Sequence, residues 1–238
     1  MKSIGEHIWI VDGSTVQFFT MPFTTRMTIV KLSNGDLWIH SPIELNPQLK
    51  QQVDSLGAVR YLIAPNHLHH LFMKQWQDAY PEALSFGTEE VLKKRSDLSF
   101  TGPLEKLTET PWAKEIDSHL FTGSPAMEEC VFFHKPSQTL IVTDLIENFS
   151  PKAFGSFKRF MASLVGVLAP HGKMPLDWRL TFTFHKKEAK KHIEHIIAWQ
   201  PMTIVMAHGV IITENAVDFL MESFDWLEPS IAKAEQLN

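Results

Sequence analysis

Tyr61-Leu62-Ile63-Ala64 is an apolar run that stops at Pro65, and His67, His69 and His70 follow at once. A short apolar run closed by proline is the pattern of a buried strand. Histidines crowded at such an exit constrain the fold, because a strand end holds imidazoles on a rigid scaffold where they can share a ligand. Two distant stretches have the same design. Leu140-Ile141-Val142-Thr143 leads into Asp144, and Ile204-Val205-Met206-Ala207 leads into His208-Gly209. Three strands that each end in a candidate ligand predict one site, built where their ends converge.

The surrounding pattern is α/β. His7 to Val11 and Val16 to Phe19 flank Asp12-Gly13-Ser14, which predicts a first hairpin. Met27 to Leu32 and Asp36 to His40 flank Ser33-Asn34-Gly35, where Asn-Gly suits the positive φ of a tight turn. Asn46-Pro47 offers an N-cap and a first-turn proline for a helix that Gly57 stops after Leu56. A strand at 59–63 leads into the histidines, and Leu71, Phe72 and Trp76 then recur at helical spacing up to Tyr80-Pro81. Glu89 to Lys94 predicts a short helix, and 97–111 a loop with a short strand. Two strands, Val131 to His134 and Thr139 to Thr143, bracket Lys135-Pro136-Ser137-Gln138. Pro151 to Pro170 reads as an amphipathic helix with Phe157, Phe160, Met161, Leu164 and Leu168 on one face, which could cover a pocket or join a homodimer. Arg179 to Phe184 reads as a strand, Glu188 to Trp199 as a helix, Ile204 to Ala207 as a strand and Asn215 to Leu227 as a last helix. With no repeat and no flexible linker, 1–238 is expected to form a single domain.

Composition narrows the function. Twenty-two Lys and Arg against 27 Asp and Glu leave a formal charge of −5, which argues against nucleic acid as a partner. The lone cysteine, Cys130, sits in an apolar run and is expected to be an inert buried thiol. No apolar core of a signal peptide follows the N-terminus, and the longest apolar stretch, Phe160 to Ala169, is about ten residues against the roughly 20 that span a bilayer. A cytoplasmic protein acting on a small molecule, with no membrane partner, is the expectation.

His67, His69, His70, Asp144 and His208 supply imidazole nitrogen and carboxylate oxygen, the donors that zinc and iron favour. Together with their order along the chain, they resemble the metallo-β-lactamase superfamily. Its signature sets His-x-His-x-Asp-His between an apolar strand and a helix. Aligned so, His67 and His70 fall on its second and last histidines, His69 replaces the aspartate and Pro65 replaces the first histidine. A register starting on His67 and His69 would put Leu71 and Phe72 in the last two ligand positions. Val142-Thr143-Asp144 matches the bridging carboxylate and Ala207-His208-Gly209 the terminal histidine, whereas the intervening histidine is missing from 123–129; Glu129, or else Glu128, could supply an oxygen there.

The resemblance implies an αββα sandwich, with one ion in preference to two, held by His69, His70, Asp144 and His208 with His67 and Glu129 nearby. It implies a hydrolase in which Asp144 binds the ion or orients a water and Glu129 is a candidate base. A non-catalytic binding protein on the same fold, and metal-centred redox chemistry, remain the alternatives. His192 and His195 share a helix whose buried stripe is already set by isoleucines, and are expected to be solvated. His134 and His185 are expected to end strands. His7, His40, His119 and His171 lack any ligand-like context.

Overall fold

The structure is a computed structural model and describes residues 1–18, 21–107 and 109–230. Seven strands in chain order make the first sheet: β1 (Lys2–Gly5), β2 (Ile8–Phe18), β3 (Met21–Lys31), β4 (Asp36–His40), β5 (Ala58–Ala64), β6 (Leu84–Gly87) and β7 (Gly102–Pro103). Pairing is antiparallel through β4, then parallel. The change follows from the connections. Ser33-Asn34-Gly35 closes a tight hairpin, with Gly35 at φ +90°, whereas α1 (Pro47–Leu56) carries the chain from β4 back to a parallel β5. Asn46 caps that helix by accepting from Leu49 N at 2.8 Å, as the Asn-Pro start predicts.

The second sheet runs β11 (Thr203–Val205), β10 (Thr139–Ile141), β9 (Glu129–His134), β8 (Ile116–Phe121), with only β10 and β11 parallel. Alternation of side chains sorts the core into three slabs. Val30, Trp38, Tyr61 and Ile63 meet Ile116, Cys130, Phe132 and Ile141 between the sheets. Ile29, Ile39 and Leu62 face outward onto Leu49 and Val53 of α1, Met73 and Trp76 of α2 (Met73–Ala79), and Val91 of α3 (Glu89–Lys94). On the far side Val131, Leu140 and Ile204 pack under Ile193, Ile196 and Ile197 of α6 (Lys186–Ala198) and Phe219 and Leu220 of α7 (Ala216–Ser223). Helices, sheet, sheet and helices are therefore stacked in four layers, an αββα sandwich. Cys130 is buried in the middle slab.

Three expectations are corrected. Asp12-Gly13-Ser14 is no hairpin turn: β2 continues through it, and the register against β3 shifts between Asp12 and Thr15. A Cβ on Gly13 would lie 2.4 Å from Thr25 Oγ1 and 3.0 Å from Ile43, so the glycine serves a close approach at a bulge. Phe19, at the end of the predicted second strand of that hairpin, lies outside the described residues.

Residues 179–184 are not a strand. Arg179 to Thr181 belong to α5 (Leu176–Thr181), where Trp178 and Phe182, four apart, are buried, while Leu180 and Phe184 are exposed. His185 accordingly sits at the N-cap position of α6 rather than at a strand end. The helix expected over 151–170 is α4, Ser156–Val165, and its apolar stripe faces outward: Phe157 is 76 % exposed.

Candidate metal centre

The ends of β5, β10 and β11 lie side by side, and His69, Asp144 and His208 meet there. Among the described residues they form the one group of three metal-ligating side chains whose candidate ligand atoms all lie within 4.8 Å of one another. His208 Nε2 is 3.1 Å from Asp144 Oδ1, and His69 Nε2 is 3.2 Å from Asp144 Oδ2.

The second nitrogen of each ring is already engaged. His208 Nδ1 donates to Thr24 O at 2.7 Å, which leaves Nε2 as the atom facing the carboxylate. His69 Nδ1 lies 2.7 Å from Ser41 Oγ, a partner to which it could donate once a metal took the lone pair of Nε2. Ring nitrogens fixed by a carbonyl and a hydroxyl are the usual support of metal-binding imidazoles. Two imidazoles and one carboxylate, nearly buried and pre-oriented, fit a divalent ion.

Electrostatics favours the same reading. Burial pushes the Asp144 carboxyl up, but His69 and His208 outweigh it and hold the group well below the usual carboxylate range. Burial depresses His208, but its hydrogen bond to Asp144 and that charge raise it overall. Without an ion, the Asp144 charge favours a proton on His208; a bound cation would take over that role and compete with the proton.

Asn66 is the hub that the histidine-centred reading passed over. Fully buried, it accepts from Leu68 N and His69 N at 2.9 and 3.1 Å and donates to Asp144 Oδ2 at 2.8 Å and Thr143 Oγ1 at 2.9 Å. One side chain thus ties the histidine loop to the carboxylate loop. Its position between proline and the cluster was the available signal, since Asn bonding two residues ahead makes an Asx turn.

Glu129, expected as a ligand or base, is also fully buried but is placed as an anchor. Oε1 accepts from Thr143 N at 2.6 Å, and Oε2 from Asp144 N and Leu145 N at 2.8 and 3.0 Å. Three backbone donors take up most of its roughly four acceptor positions, and it lies outside the three-residue group. Glu128, the alternative, is outside the three-residue group as well.

The structure does not bring His67 and His70 into the group. His67 Nδ1 donates to Glu90 Oε2 at 2.7 Å. His70 Nδ1 accepts from Arg95 Nη1 at 3.1 Å, which puts the ring proton on Nε2 and removes the lone pair needed for coordination. Burial, reinforced by Lys94 and Arg95, lowers His70 to about 4 and keeps it neutral.

The His208 loop is held from β3. Arg26 Nη1 donates to Met206 O and Gly209 O at 2.7 and 2.9 Å. Gly209 has φ +103°, and a Cβ there would lie 2.1 Å from Asn148 O, so no other residue fits.

A cavity of about 810 Å³ is lined by His69, Asp144 and His208 together with Leu68, Phe72, Phe149, Val167 and Trp178. Glu147 also lines it; burial, the largest influence, pushes its carboxyl up to about 8.

Comparison with known proteins bears on the fold. A family profile described as a domain of unknown function (DUF4336) matches residues 5–158. Among curated proteins none matches the sequence. Solved structures do match in fold. A metallo-β-lactamase from Hirschia baltica superposes with a TM-score of 0.63 at 12 % identity, covering 96 % of this chain and 97 % of that one. The metallo-β-lactamase FIM-1 from Pseudomonas aeruginosa, in its mono-zinc form, gives 0.60 at 10 % identity, with 96 % of each chain covered. The chemotaxis sensor ODP, holding a peroxy diiron species, gives 0.59 at 13 % identity over 96 % of this chain and 94 % of that one. The fold is therefore that of the metallo-β-lactamases. Among the described residues no helix is long and apolar enough to cross a membrane.

Proposed function

The chain belongs to the family described as a domain of unknown function (DUF4336), and from that footing we propose that it is a metal-dependent hydrolase of metallo-β-lactamase type. One observation carries the reading: His69, Asp144 and His208 converge at a cavity with both Nε2 atoms preset toward the carboxylate. These three residues would hold one ion, zinc or iron. Such an ion lowers the pKa of a water and polarises a carbonyl or phosphoryl oxygen.

The chain's own groups do the rest. Asn66 and Glu129 fix the Asp144 loop so that the carboxylate cannot swing away. The apolar cavity walls exclude bulk water and select a small molecule with an apolar body. Glu147, on the cavity wall with a carboxyl that burial raises, is the candidate proton donor for a leaving group.

Two histidines and one carboxylate also suit non-haem iron, and ODP carries iron on the same fold, so metal-centred redox chemistry is the second reading. The test is a screen of esters, lactones, thioesters, phosphodiesters and lactams with untagged protein loaded with zinc or with iron. Metal-dependent turnover that Asp144→Ala abolishes is expected. Oxygen consumption by the iron form, with no hydrolysis of any class, would replace the first reading by the second. Metal uptake with neither activity would leave a binding protein.

A further inference from the structure

Helix α4 is inverted relative to an ordinary surface helix. Only Ala162 of its residues is buried, while Phe157, Phe160, Met161 and Leu164, spaced i, i+3, i+4, i+7, are 44 to 76 % exposed. An amphipathic helix normally turns such a stripe inward. Beside it, α5 and the turn after it expose Leu180 and Phe184, the latter at 94 %. Exposed apolar side chains gathered in this way mark an interaction surface.

The charge around this surface identifies its partner. Residues 151–191 contain nine Lys and Arg but only Asp177 and Glu188 as acids, in a chain whose formal charge is −5; Lys173 and Lys190 pair with Asp225 and Glu194 from outside this stretch, which still leaves cations in excess. Lys152 and Arg159 are exposed beside the stripe, and Lys187 and Lys191 are exposed on the following helix. A second copy meeting this face would bring like charges together. An anionic bilayer instead accepts the apolar stripe among its acyl chains and pairs with the cations at the headgroups.

We propose that the α4–α5 face docks the protein on an anionic lipid surface, without spanning it. The sequence alone suggested no membrane partner, because the pattern of α4 does not reveal which way its stripe points. Docking also bears on the cavity: Val165 of α4 and Leu176 and Leu180 of α5 line it, so the elements that touch lipid rim the opening. The inference does not depend on the hydrolase reading, since neither the stripe nor the cations are part of the metal centre.

Flotation of the full chain with vesicles tests it. Vesicles of phosphatidylcholine mixed with phosphatidylglycerol should carry the protein up, phosphatidylcholine alone much less, and high salt should weaken binding. Replacing Lys152 and Arg159 together by Gln should lower partitioning about thirtyfold. Replacing Phe157, Phe160 and Leu164 together by Ser should lower it roughly a hundredfold. These side chains are exposed, so both variants should keep the wild-type unfolding midpoint and metal content. No flotation with the anionic vesicles, or binding that both variants retain, overturns the proposal. So does a wild-type dimer, seen by sedimentation, that ignores vesicles and dissociates in the Ser variant, because the occupant is then a second copy.

Discussion

Replacing Glu129 by Gln separates an anchor from a ligand. The carboxylate is fully buried and accepts from three backbone N–H groups at 2.6, 2.8 and 3.0 Å and from Asn66 Nδ2 at 3.2 Å. Glutamine keeps the volume but turns one oxygen into a donor, which faces a backbone N–H and leaves it unsatisfied at a cost of about 1–3 kcal/mol. The bonds that persist lose their charge assistance, about 1 kcal/mol each. Against this, burial and Asp144 already raise the Glu129 carboxyl, so losing its charge relieves part of that strain. A net loss of about 2–4 kcal/mol is expected. Urea unfolding of the metal-free protein reads it as a lower midpoint at unchanged slope. Metal affinity should fall about 10- to 100-fold through misplacement of Asp144, without being lost. Unchanged stability combined with abolished metal uptake would refute the argument and make Glu129 a ligand.

Three further outcomes follow from the same contacts. Gly209→Ala meets Asn148 O at 2.1 Å and a φ of +103°, so it should cost about 2 kcal/mol or more and weaken metal binding by moving His208; a wild-type melting temperature would contradict this. His40 and His134 are held at about 3 and about 4, mainly by burial, below the 6.5 of an unfolded histidine. As pH falls below about 6.5 the unfolded chain takes up protons that the folded chain refuses, so stability is complete above that pH and declines toward 4; at pH 5 the two together should cost about 4 kcal/mol, and an unfolding midpoint that is flat from about pH 7.5 to 5 would show the assignment wrong. Because Asp144 raises His208, metal binding should release protons from His208, more of them at lower pH, measured by titration calorimetry in buffers of different ionisation enthalpy; no buffer dependence at any pH would contradict the proton-for-cation exchange.

Where a feature is written in neighbouring residues, the sequence could be read directly. The Asn46-Pro47 start and Gly57 stop of α1 and the Asn34-Gly35 turn depend only on local backbone geometry. The strand ends that bring His69, Asp144 and His208 together were legible because each apolar run stops just before a side chain able to bind a metal. What failed depended on distant partners. Gly13 looks like a turn residue until Thr25 and Ile43 approach it. Trp178, Leu180, Phe182 and Phe184 alternate like a strand, but only the first and third find a core. The stripe on α4 has the same period whether it faces in or out. His67 and His70 differ from His69 through Glu90 and Arg95, which come from α3 and its C-cap. Glu129 did carry a signal: an acid heading the apolar run Cys130-Val131-Phe132-Phe133 has to satisfy something buried.

The central claim is that His69, Asp144 and His208 form a metal centre. Its most direct test is a structure of untagged protein grown with zinc or iron, with the metal content measured by mass spectrometry on the same sample. About one equivalent of metal is expected, with Nε2 of His69, a carboxylate oxygen of Asp144 and Nε2 of His208 each about 2.0–2.2 Å from the ion. Protein that takes up no metal, or an ion bound through His67, His70 or Glu129 in place of these three, would contradict the account.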